Sequence, residues 1–358
     1  MKSNRYIRQT TLKSFGQEAQ KKLADARVLI VGLGGLGLPV AQYLNAMGVG
    51  TLGLVDGDVV ELHNLQRQVL YTEENCGTSK LEATIRFLEK QNSETNLKGH
   101  QLFLDRNNAL DIIEKYDVIV DATDNFPARY LINDACVILG KPFIYGALHA
   151  FEGQLSVFNY MEGPTYRCLF PEMPKSGEIA NCDQHGVLGV LPGIIGNLQA
   201  LEAVKVITGI GQVLSGKLLL FDGLSQRSQQ ISYPLKAENR QIKYLANDYN
   251  SVSCDARMKC QEIELFLKEL YDPDSDQLID VRSTEEFRED HLPNAINIPL
   301  NVLDQNLDVL HPAKNVYLLC ASGVRSQKAW ELLKDHVAPE RLIVIQGGMN
   351  TLRMATKQ

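Results

Sequence analysis

Apolar runs bounded by glycine-rich turns alternate with segments of helical periodicity along the first two thirds of the chain. The apolar run at 27–31 predicts a buried strand, the spacing over 36–47 predicts a helix, and 51–55 predicts a second strand. Further strands are predicted at 118–121, 143–145, 154–159 and 217–221, and further helices at 80–91, 129–139 and 194–207. This alternation predicts an α/β fold with a mostly parallel sheet and helices on both faces.

A second α/β pattern follows a polar stretch in which the periodicity is lost. We predict a linker at 246–259, between a first domain at 1–245 and a second at 260–358. Within the second domain we expect a helix over 260–270, strands at 278–281, 316–320 and 342–345, and a helix at 324–335. About 100 residues are enough for a small independent domain.

Composition narrows the class of protein. The chain has 358 residues and a formal net charge of −7, which gives it no overall attraction for nucleic acid or for an anionic membrane. Its N-terminus is polar, and its most apolar stretch, 186–196, is too short to cross a bilayer. The seven cysteines are odd in number and widely spaced, which argues against a disulfide framework. They form no C-x-x-C pair, which argues against a four-thiolate zinc site. We therefore expect a cytoplasmic protein that binds neither nucleic acid nor membrane.

A glycine-rich loop joins the first predicted strand to the first predicted helix. Gly32, Gly34, Gly35 and Gly37 satisfy the pattern G-x-G-x-x-G, in which glycines permit a tight turn and the helix N-terminus offers N–H groups to phosphates. Asp56 ends the second strand, where an acidic side chain can bind ribose hydroxyls. The pattern is typical of a Rossmann-like nucleotide site. It does not separate ATP from NAD, so an NAD-dependent oxidoreductase stays an alternative.

Four further segments, 5–9, 56–68, 77–80 and 121–125, resemble the ATP site of the MoeB/ThiF family, the prokaryotic relatives of ubiquitin-activating enzymes. They occur in family order and at family spacing, and the resemblance covers about residues 5–235. It implies a homodimer in which Arg8 reaches into the site of the partner subunit, and Mg²⁺ binding by Asp124. It also implies ATP contacts for Gly35, Asp56, Asn64, Arg67 and Lys80.

The residue types suit adenylation. Arg67 and Lys80 can neutralise phosphates, and Asp124 follows a strand at the sheet edge where ligands bind. Other interpretations stay open: Lys80 as an ordinary first-turn residue, Arg8 as a solvated charge, and either Asp124 or Asn125 as a helix cap. His149 lies past a strand end and could line the site, although we favour a structural role for it.

Cys182 lies at the position where the family carries a cysteine that can attack the adenylate or the sulfurated carrier terminus. The thiolate is the reactive form, and His185 is close enough in sequence to tune it. An isolated cysteine is otherwise usually a small buried hydrophobe. We predict that Cys182 is a nucleophile.

The zinc site that family members commonly build from two C-x-x-C pairs is incomplete here. Only Cys168 remains of the first pair, 235–243 has no cysteine, and Cys254 and Cys260 are misplaced. We predict that the protein holds no structural zinc and that Cys168 is a core residue.

A second cysteine, Cys320, follows an apolar strand and opens a helix. Backbone N–H groups at the helix N-terminus and the charge of Arg325 favour a thiolate or a persulfide anion there. The loop resembles a rhodanese active site, and the resemblance covers about 260–355. It implies a persulfide loop made of Cys320, Ser322, Gly323 and Arg325. An inactive rhodanese-like module is the alternative, and Trp330 on the following helix is predicted to be core.

Together the two domains predict ATP-dependent adenylation of the C-terminal glycine of a small ubiquitin-like sulfur-carrier protein ending in Gly-Gly. A persulfide on Cys320 would then attack the activated carbonyl, and Cys182 would complete formation of a thiocarboxylate. The sulfur donor, a cysteine desulfurase or thiosulfate, stays open. So does the carrier, of the molybdopterin or the thiamine pathway, although we favour molybdopterin. An ATP-independent sulfurtransferase, with the first domain only docking the carrier, is the second alternative.

Overall fold

The chain divides into two units, Met1–Val252 and Ser253–Gln358. The computed structural model describes residues 4–174, 186–246, 249, 259–263, 272, 275–321 and 323–349. Both units contain a sheet with a parallel core, which confirms the predicted fold class.

The first unit is built on an eight-stranded sheet in the order β3-β2-β1-β4-β5-β6-β7-β8. Pairing is parallel from β3 to β5 and antiparallel from β5 to β8. The strands are β1 Arg27–Val31, β2 Thr51–Val55, β3 Asn96–His100, β4 Val118–Asp121, β5 Phe143–His149, β6 Glu152–Phe158, β7 Lys217–Asp222 and β8 Arg227–Ser232.

Eight α-helices are described in this unit, and they cover both faces of the sheet. They are α1 Ile7–Thr10, α2 Gly16–Asp25, α3 Gly37–Ala46, α4 Lys80–Gln91, α5 Ala109–Ile113, α6 Phe126–Leu139, α7 Tyr166–Leu169 and α8 Val190–Thr208. Alternate residues of β1 enter two different cores: Val28 and Ile30 pack with α3 and α4, whereas Leu29 and Val31 pack with α5 and α6. A strand buried on both faces reads as a continuous apolar run, which is why the sequence pattern identified it.

One helix, α8, is long and apolar enough to cross a membrane by length and composition alone. Half of it is buried inside the fold. Leu191, Ile195 and Ala203 are among its buried residues, as in the core helix of a globular domain.

The structure corrects the predicted elements at several places. Strands β3 and β8 and helix α5 were not predicted, because β3 and β8 are mostly polar and exposed at the two edges of the sheet and α5 is short. Helix α6 begins at Phe126, three residues before the predicted start, because Asn125 caps it.

The second unit has a five-stranded parallel sheet in the order β11-β10-β12-β13-β9. Its strands are β9 Lys259–Glu262, β10 Asp276–Asp280, β11 Ala295–Asn297, β12 Asn315–Leu319 and β13 Leu342–Gln346, and its helices are α9 Thr284–Glu289 and α10 Val324–Leu333. The helix predicted from residue 260 is wrong at its start, since 259–262 pairs with β13 as a strand. Its remainder, 264–270, lies outside the described residues. Trp330 is fully buried, which confirms its prediction as core.

Candidate active sites

A cleft of about 1010 Å³ lies at the carboxyl ends of β1, β2 and β4 in the first unit. In open sheets of this kind the carboxyl ends of the parallel strands, where the order reverses, are the usual place for a ligand. The structure brings together here all the residues predicted to contact ATP or Mg²⁺: Gly32, Gly34, Gly35, Asp56, Asn64, Arg67, Lys80 and Asp124. Their contacts with a nucleotide remain a prediction.

Two glycines shape the loop between β1 and α3. Gly32 has a φ of +95°, and a Cβ atom there would come within 2.8 Å of the Ala122 carbonyl oxygen. A Cβ on Gly37 would lie only 1.8 Å from the Gly32 carbonyl oxygen. Any side chain at either position would therefore force apart the turn that carries the N-terminus of α3 to the cleft.

Asp56 ties the end of β2 to this loop. Its carboxylate accepts the Leu33 N–H at 2.7 Å and the Asp58 N–H at 2.8 Å. Burial raises the pKa of Asp56, and the two N–H groups only partly offset that effect. Each carboxylate oxygen retains a second lone pair, so the side chain can hold the loop and still accept a ribose hydroxyl.

Lys80 is more than an ordinary first-turn residue of α4. It is buried, and its ammonium donates to the carboxylate of the exposed Asp58 at 2.9 Å. Tyr71 links the start of α4 to the glycine-rich loop, because its hydroxyl hydrogen-bonds to the carbonyl oxygens of Leu33 and Lys80. A buried cation with one carboxylate partner at the cleft is suited to binding phosphate.

Asn64 and Arg67 come from the segment between β2 and α4. Asn64 is buried and its side-chain oxygen accepts the Glu61 N–H at 3.2 Å, which closes the short helical turn on which it sits. Arg67 is half-buried, and one of its guanidinium nitrogens donates to the His63 carbonyl at 3.2 Å. The remaining N–H groups of Arg67 are available to a bidentate acceptor such as a phosphate.

Asn125 is the cap of α6, because its side-chain oxygen accepts the Ala128 N–H at 2.9 Å. The capping role therefore does not fall to Asp124, which lies exposed in the cleft. Mg²⁺ is commonly bound by one or two carboxylates together with substrate phosphates, rather than by an all-protein cage. Within the described ranges no group of three or more His, Cys, Asp or Glu side chains could hold a metal. A single carboxylate at Asp124 fits the Mg²⁺–nucleotide arrangement.

The cleft also contains residues that sequence reasoning missed. Arg129 is buried in the first turns of α6, donates to the Thr123 carbonyl at 3.1 Å and lies over the ring of Tyr145. Asp58 and the exposed Arg106 line the cleft as well. His149, interpreted above as structural, is exposed at the end of β5 and lines the cleft too. The only available signal was position: each follows the carboxyl end of a strand or lies within one turn of a helix start.

Two predicted residues are not brought into this cleft. Arg8 lies exposed on α1 and is absent from the described lining. Cys182, together with His185, lies outside the described residues. Their predicted roles stay predictions.

Cys168 occupies the place where the resemblance would expect zinc, and its neighbours do not fit a metal. Its sulfur accepts N–H groups from Thr165 at 3.4 Å and from Lys236 at 3.3 Å, with the Asn239 amide at 3.7 Å. Burial raises the pKa of this thiol, but the hydrogen bonds outweigh that effect and the net shift is downward. Three neighbours, Thr165, Lys236 and Asn239, thus present hydrogen-bond donors to one sulfur, whereas a structural zinc site needs four ligands.

In the second unit, Cys320 follows β12 directly. Its side chain is fully buried, and the Gly323 N–H donates to its sulfur at 3.0 Å. Gly348 closes the loop from the other side: a Cβ there would lie 2.2 Å from the Cys320 carbonyl oxygen. The structure therefore places Cys320 and Gly323 together at the N-terminus of α10, as predicted, and Ser322 lies outside the described residues.

Arg325 projects from the first turn of α10 and is half-buried. Its guanidinium binds both carboxylate oxygens of Glu286, at 2.5 and 2.7 Å. This pairing, which the sequence did not reveal, raises the pKa of Arg325 and lowers the pKa of Glu286 to about 2.

Known protein families match both units. Residues 6–243 match the model of the ThiF family, and residues 264–355 match the model of the rhodanese-like domain. The chain therefore belongs to the ThiF family and carries a C-terminal rhodanese-like domain, which confirms both resemblances.

Relatives of this chain are known from animals and plants. The chain is 40% identical over 382 residues to the adenylyltransferase and sulfurtransferase MOCS3 of Xenopus laevis, a match that covers 96% of this chain and 85% of that protein. It is 40% identical over 364 residues to MOCS3-2 of Zea mays, covering 92% and 75%. Among solved structures, E. coli MccB crystallised with ATP aligns with a TM-score of 0.58 at 24% identity, over 66% of this chain and 73% of that one. That likeness shows the fold alone.

Proposed function

We propose that this chain uses ATP to adenylate the C-terminal glycine of a small ubiquitin-like sulfur-carrier protein and then delivers sulfur from a persulfide on Cys320. One observation carries the proposal: a nucleotide cleft and a cysteine loop at a helix N-terminus are joined in one chain. The relatives of this chain at about 40% identity are named adenylyltransferase and sulfurtransferase.

The first step is attack by the glycine carboxylate on the α-phosphorus of ATP. A bond forms between a carboxylate oxygen and that phosphorus, and pyrophosphate leaves with the electron pair of the broken P–O bond. Lys80 and Arg67 would offset the negative charge that builds on the phosphates, while Asp56 would hold the ribose. Mg²⁺ held by Asp124 would supply Lewis-acid stabilisation of the same oxygens.

The second step uses Cys320. The outer sulfur of its persulfide attacks the adenylated carbonyl, a C–S bond forms, and AMP leaves with the electrons of the C–O bond. A Cys182 thiolate then attacks the inner sulfur of the resulting acyl disulfide and forms a disulfide with Cys320. The carrier leaves as a thiocarboxylate, and a cellular thiol reduces the disulfide for the next cycle.

The carrier would end in Gly-Gly, and we favour a carrier of molybdopterin synthesis over one of thiamine synthesis. The active form would be a homodimer in which Arg8 of one subunit completes the cleft of the other. A cytoplasmic location agrees with the described cysteines Cys76, Cys136, Cys168 and Cys320, all of which are free thiols.

Carrier-dependent exchange between ATP and labelled pyrophosphate tests the proposal. Exchange should occur in Mg²⁺ with a carrier ending in Gly-Gly and stop when that dipeptide is removed. Asp124→Ala should abolish exchange, whereas Asp111→Ala, an exposed aspartate outside the cleft, should not. Cys320→Ala should leave exchange intact and abolish thiocarboxylate formation.

No exchange with carriers of either pathway would refute the adenylation step. Sulfur transfer from a donor to the carrier at the same rate with and without ATP would instead favour an ATP-independent sulfurtransferase.

A further inference from the structure

Glu286 lies in the first turn of α9, on a different element from the cysteine loop. Its position is fixed locally by a capping box with Ser283: the Glu286 carboxylate accepts the Ser283 N–H at 3.0 Å, and the Ser283 hydroxyl accepts the Glu286 N–H at 3.2 Å. A side chain held in this way has lost its rotamer freedom before it meets any other partner.

The same carboxylate binds Arg325 with both of its oxygens. Two parallel N–H···O bonds fix the plane of the guanidinium as well as its distance, which a single contact would not do. Both side chains are about one-third exposed, at 34% for Arg325 and 36% for Glu286. Without Glu286, the long side chain of Arg325 would therefore be free to extend into water.

Arg325 lies in the first turn of α10, two residues beyond Gly323, whose N–H donates to the Cys320 sulfur at 3.0 Å. The other strong cation nearby, Arg282, is fully buried and is already bound to Asp280 and Asp290. Among the described residues, Arg325 is thus the cation whose placement relative to the sulfur depends on Glu286.

We propose that Glu286 is a positioning residue for sulfur transfer: it holds the Arg325 guanidinium beside the Cys320 loop, so that its positive charge acts on the sulfur. This assignment deepens the proposed function and rests on Cys320 being the sulfur-carrying residue. Glu286 acts only through Arg325, because its own negative charge opposes an anionic sulfur.

Because the charges of Glu286 and Arg325 act on the sulfur in opposite directions, the direction in which the pH dependence of Cys320 alkylation shifts distinguishes two roles for Glu286. If Glu286 merely neutralised Arg325, removing its charge would stabilise the thiolate of Cys320, and alkylation would begin at lower pH. If Glu286 positions Arg325, removing its charge releases the guanidinium, the field at the sulfur weakens, and alkylation begins at higher pH.

The test is the pH dependence of Cys320 alkylation by iodoacetamide, followed in the full chain by peptide-resolved mass spectrometry so that the other cysteines do not interfere. Glu286→Gln should move the midpoint upward and slow alkylation of Cys320 at pH 6.5 at least about threefold, the effect of half a pH unit. Arg325→Gln should do the same. The double variant should be no slower than Arg325→Gln alone, since the two residues act as one unit.

Glu285→Gln is the matched control, because Glu285 is the exposed neighbour on the same turn of α9. It should leave the midpoint unchanged. Glu286→Asp keeps the charge on a shorter arm and should recover part of the wild-type rate. The fluorescence of Trp330, the single tryptophan of the chain, confirms in each variant that the second unit is folded.

A downward shift of the midpoint in Glu286→Gln would overturn the proposal, as would an equal slowing by Glu286→Gln in the Arg325→Gln background. Alkylation is measured without ATP, carrier or sulfur donor. A wild-type protein that transfers no sulfur would therefore refute the proposed function, while the alkylation result would still decide the role of Glu286.

Discussion

The nucleotide cleft and the Cys320 loop are built in different ways. The cleft gathers side chains from at least four separate segments of the first unit, and its charges, among them Lys80, Arg67 and Asp124, come from residues far apart in sequence. The loop draws on a few consecutive residues: a buried sulfur, the Gly323 N–H and the start of α10. Among the described charged groups of the loop, Arg325 is the one held by a distant element, through Glu286.

This difference agrees with what each site is proposed to bind. A nucleotide with three phosphates is long and highly charged, so it needs cations spread along its length. One sulfur atom is small, and the backbone N–H groups of a tight loop can surround it. The two sites should therefore respond independently to substitution.

The largest expected effect separates the two sites most clearly. Lys80→Met removes the buried cation of the cleft and should reduce pyrophosphate exchange about 10²- to 10³-fold, the usual loss for a group that stabilises charge in the transition state. Alkylation of Cys320 should not change. Lys98→Met, an exposed lysine on β3, is the control and should retain full exchange. A retained exchange rate in Lys80→Met would show that the phosphates bind elsewhere.

A substitution in the Cys320 loop should impair sulfur transfer and leave pyrophosphate exchange unchanged. Gly348→Ala places a Cβ 2.2 Å from the Cys320 carbonyl oxygen at a φ of +57°, so the loop must shift. We expect thiocarboxylate formation to fall at least about tenfold and the second unit to lose about 1–3 kcal/mol of stability, while pyrophosphate exchange is unaffected. Gly140→Ala, at a φ of +63° with no atom within 4 Å, provides strain without a clash and should leave sulfur transfer unchanged.

The ion pair at the loop predicts a pH dependence of stability. Arg325 lowers the pKa of Glu286 from 4.5 to about 2, so the folded state binds this proton less readily than the unfolded state. The stabilisation is complete above about pH 4.5 and is lost as the pH falls towards about 2. Urea unfolding of the full chain, followed by Trp330 fluorescence at pH 6, 4 and 3, should show the advantage of wild type over Glu286→Gln shrinking with acid. An advantage that stays constant over this range would contradict the assignment.

The smallest expected effect concerns zinc. Because the neighbours of Cys168 are hydrogen-bond donors, a strong chelator should leave the thermal unfolding of the first unit unchanged, and metal analysis should find far less than one zinc per chain. Cys168→Ala should cost about 1–3 kcal/mol, because it leaves the buried N–H of Thr165 without its acceptor. Cys136 is the matched comparison, because burial raises the pKa of its thiol well above the usual range. Cys136→Ser should destabilise the first unit, since it places a polar hydroxyl in an apolar core. One zinc per chain, with unfolding on its removal, would show that ligands outside the described residues complete a site.

Local patterns predicted the centre of each sheet and both glycine-dependent loops. Strands β1, β2 and β4 are mostly apolar runs. The loop after β1 places glycines where a side chain would clash, and Gly323 in the loop after β12 has a φ of +94°. The edge strands β3 and β8 were missed, because a strand exposed to water shows no apolar run. Asn125 as the cap of α6 was one of two interpretations that sequence left open, and the hydrogen bond to Ala128 decided between them.

By itself, the sequence determined the two α/β domains, the family resemblances and the eight residues that meet in the nucleotide cleft, since those features depend on motifs within short segments. Only the tertiary structure revealed that Lys80 pairs with Asp58, that Arg129 lines the cleft, and that Glu286 holds Arg325. The physical reason is the same in each case. Burial and charge pairing depend on which elements the fold brings side by side, and partners 22 or 39 residues apart leave no periodic signal in the chain.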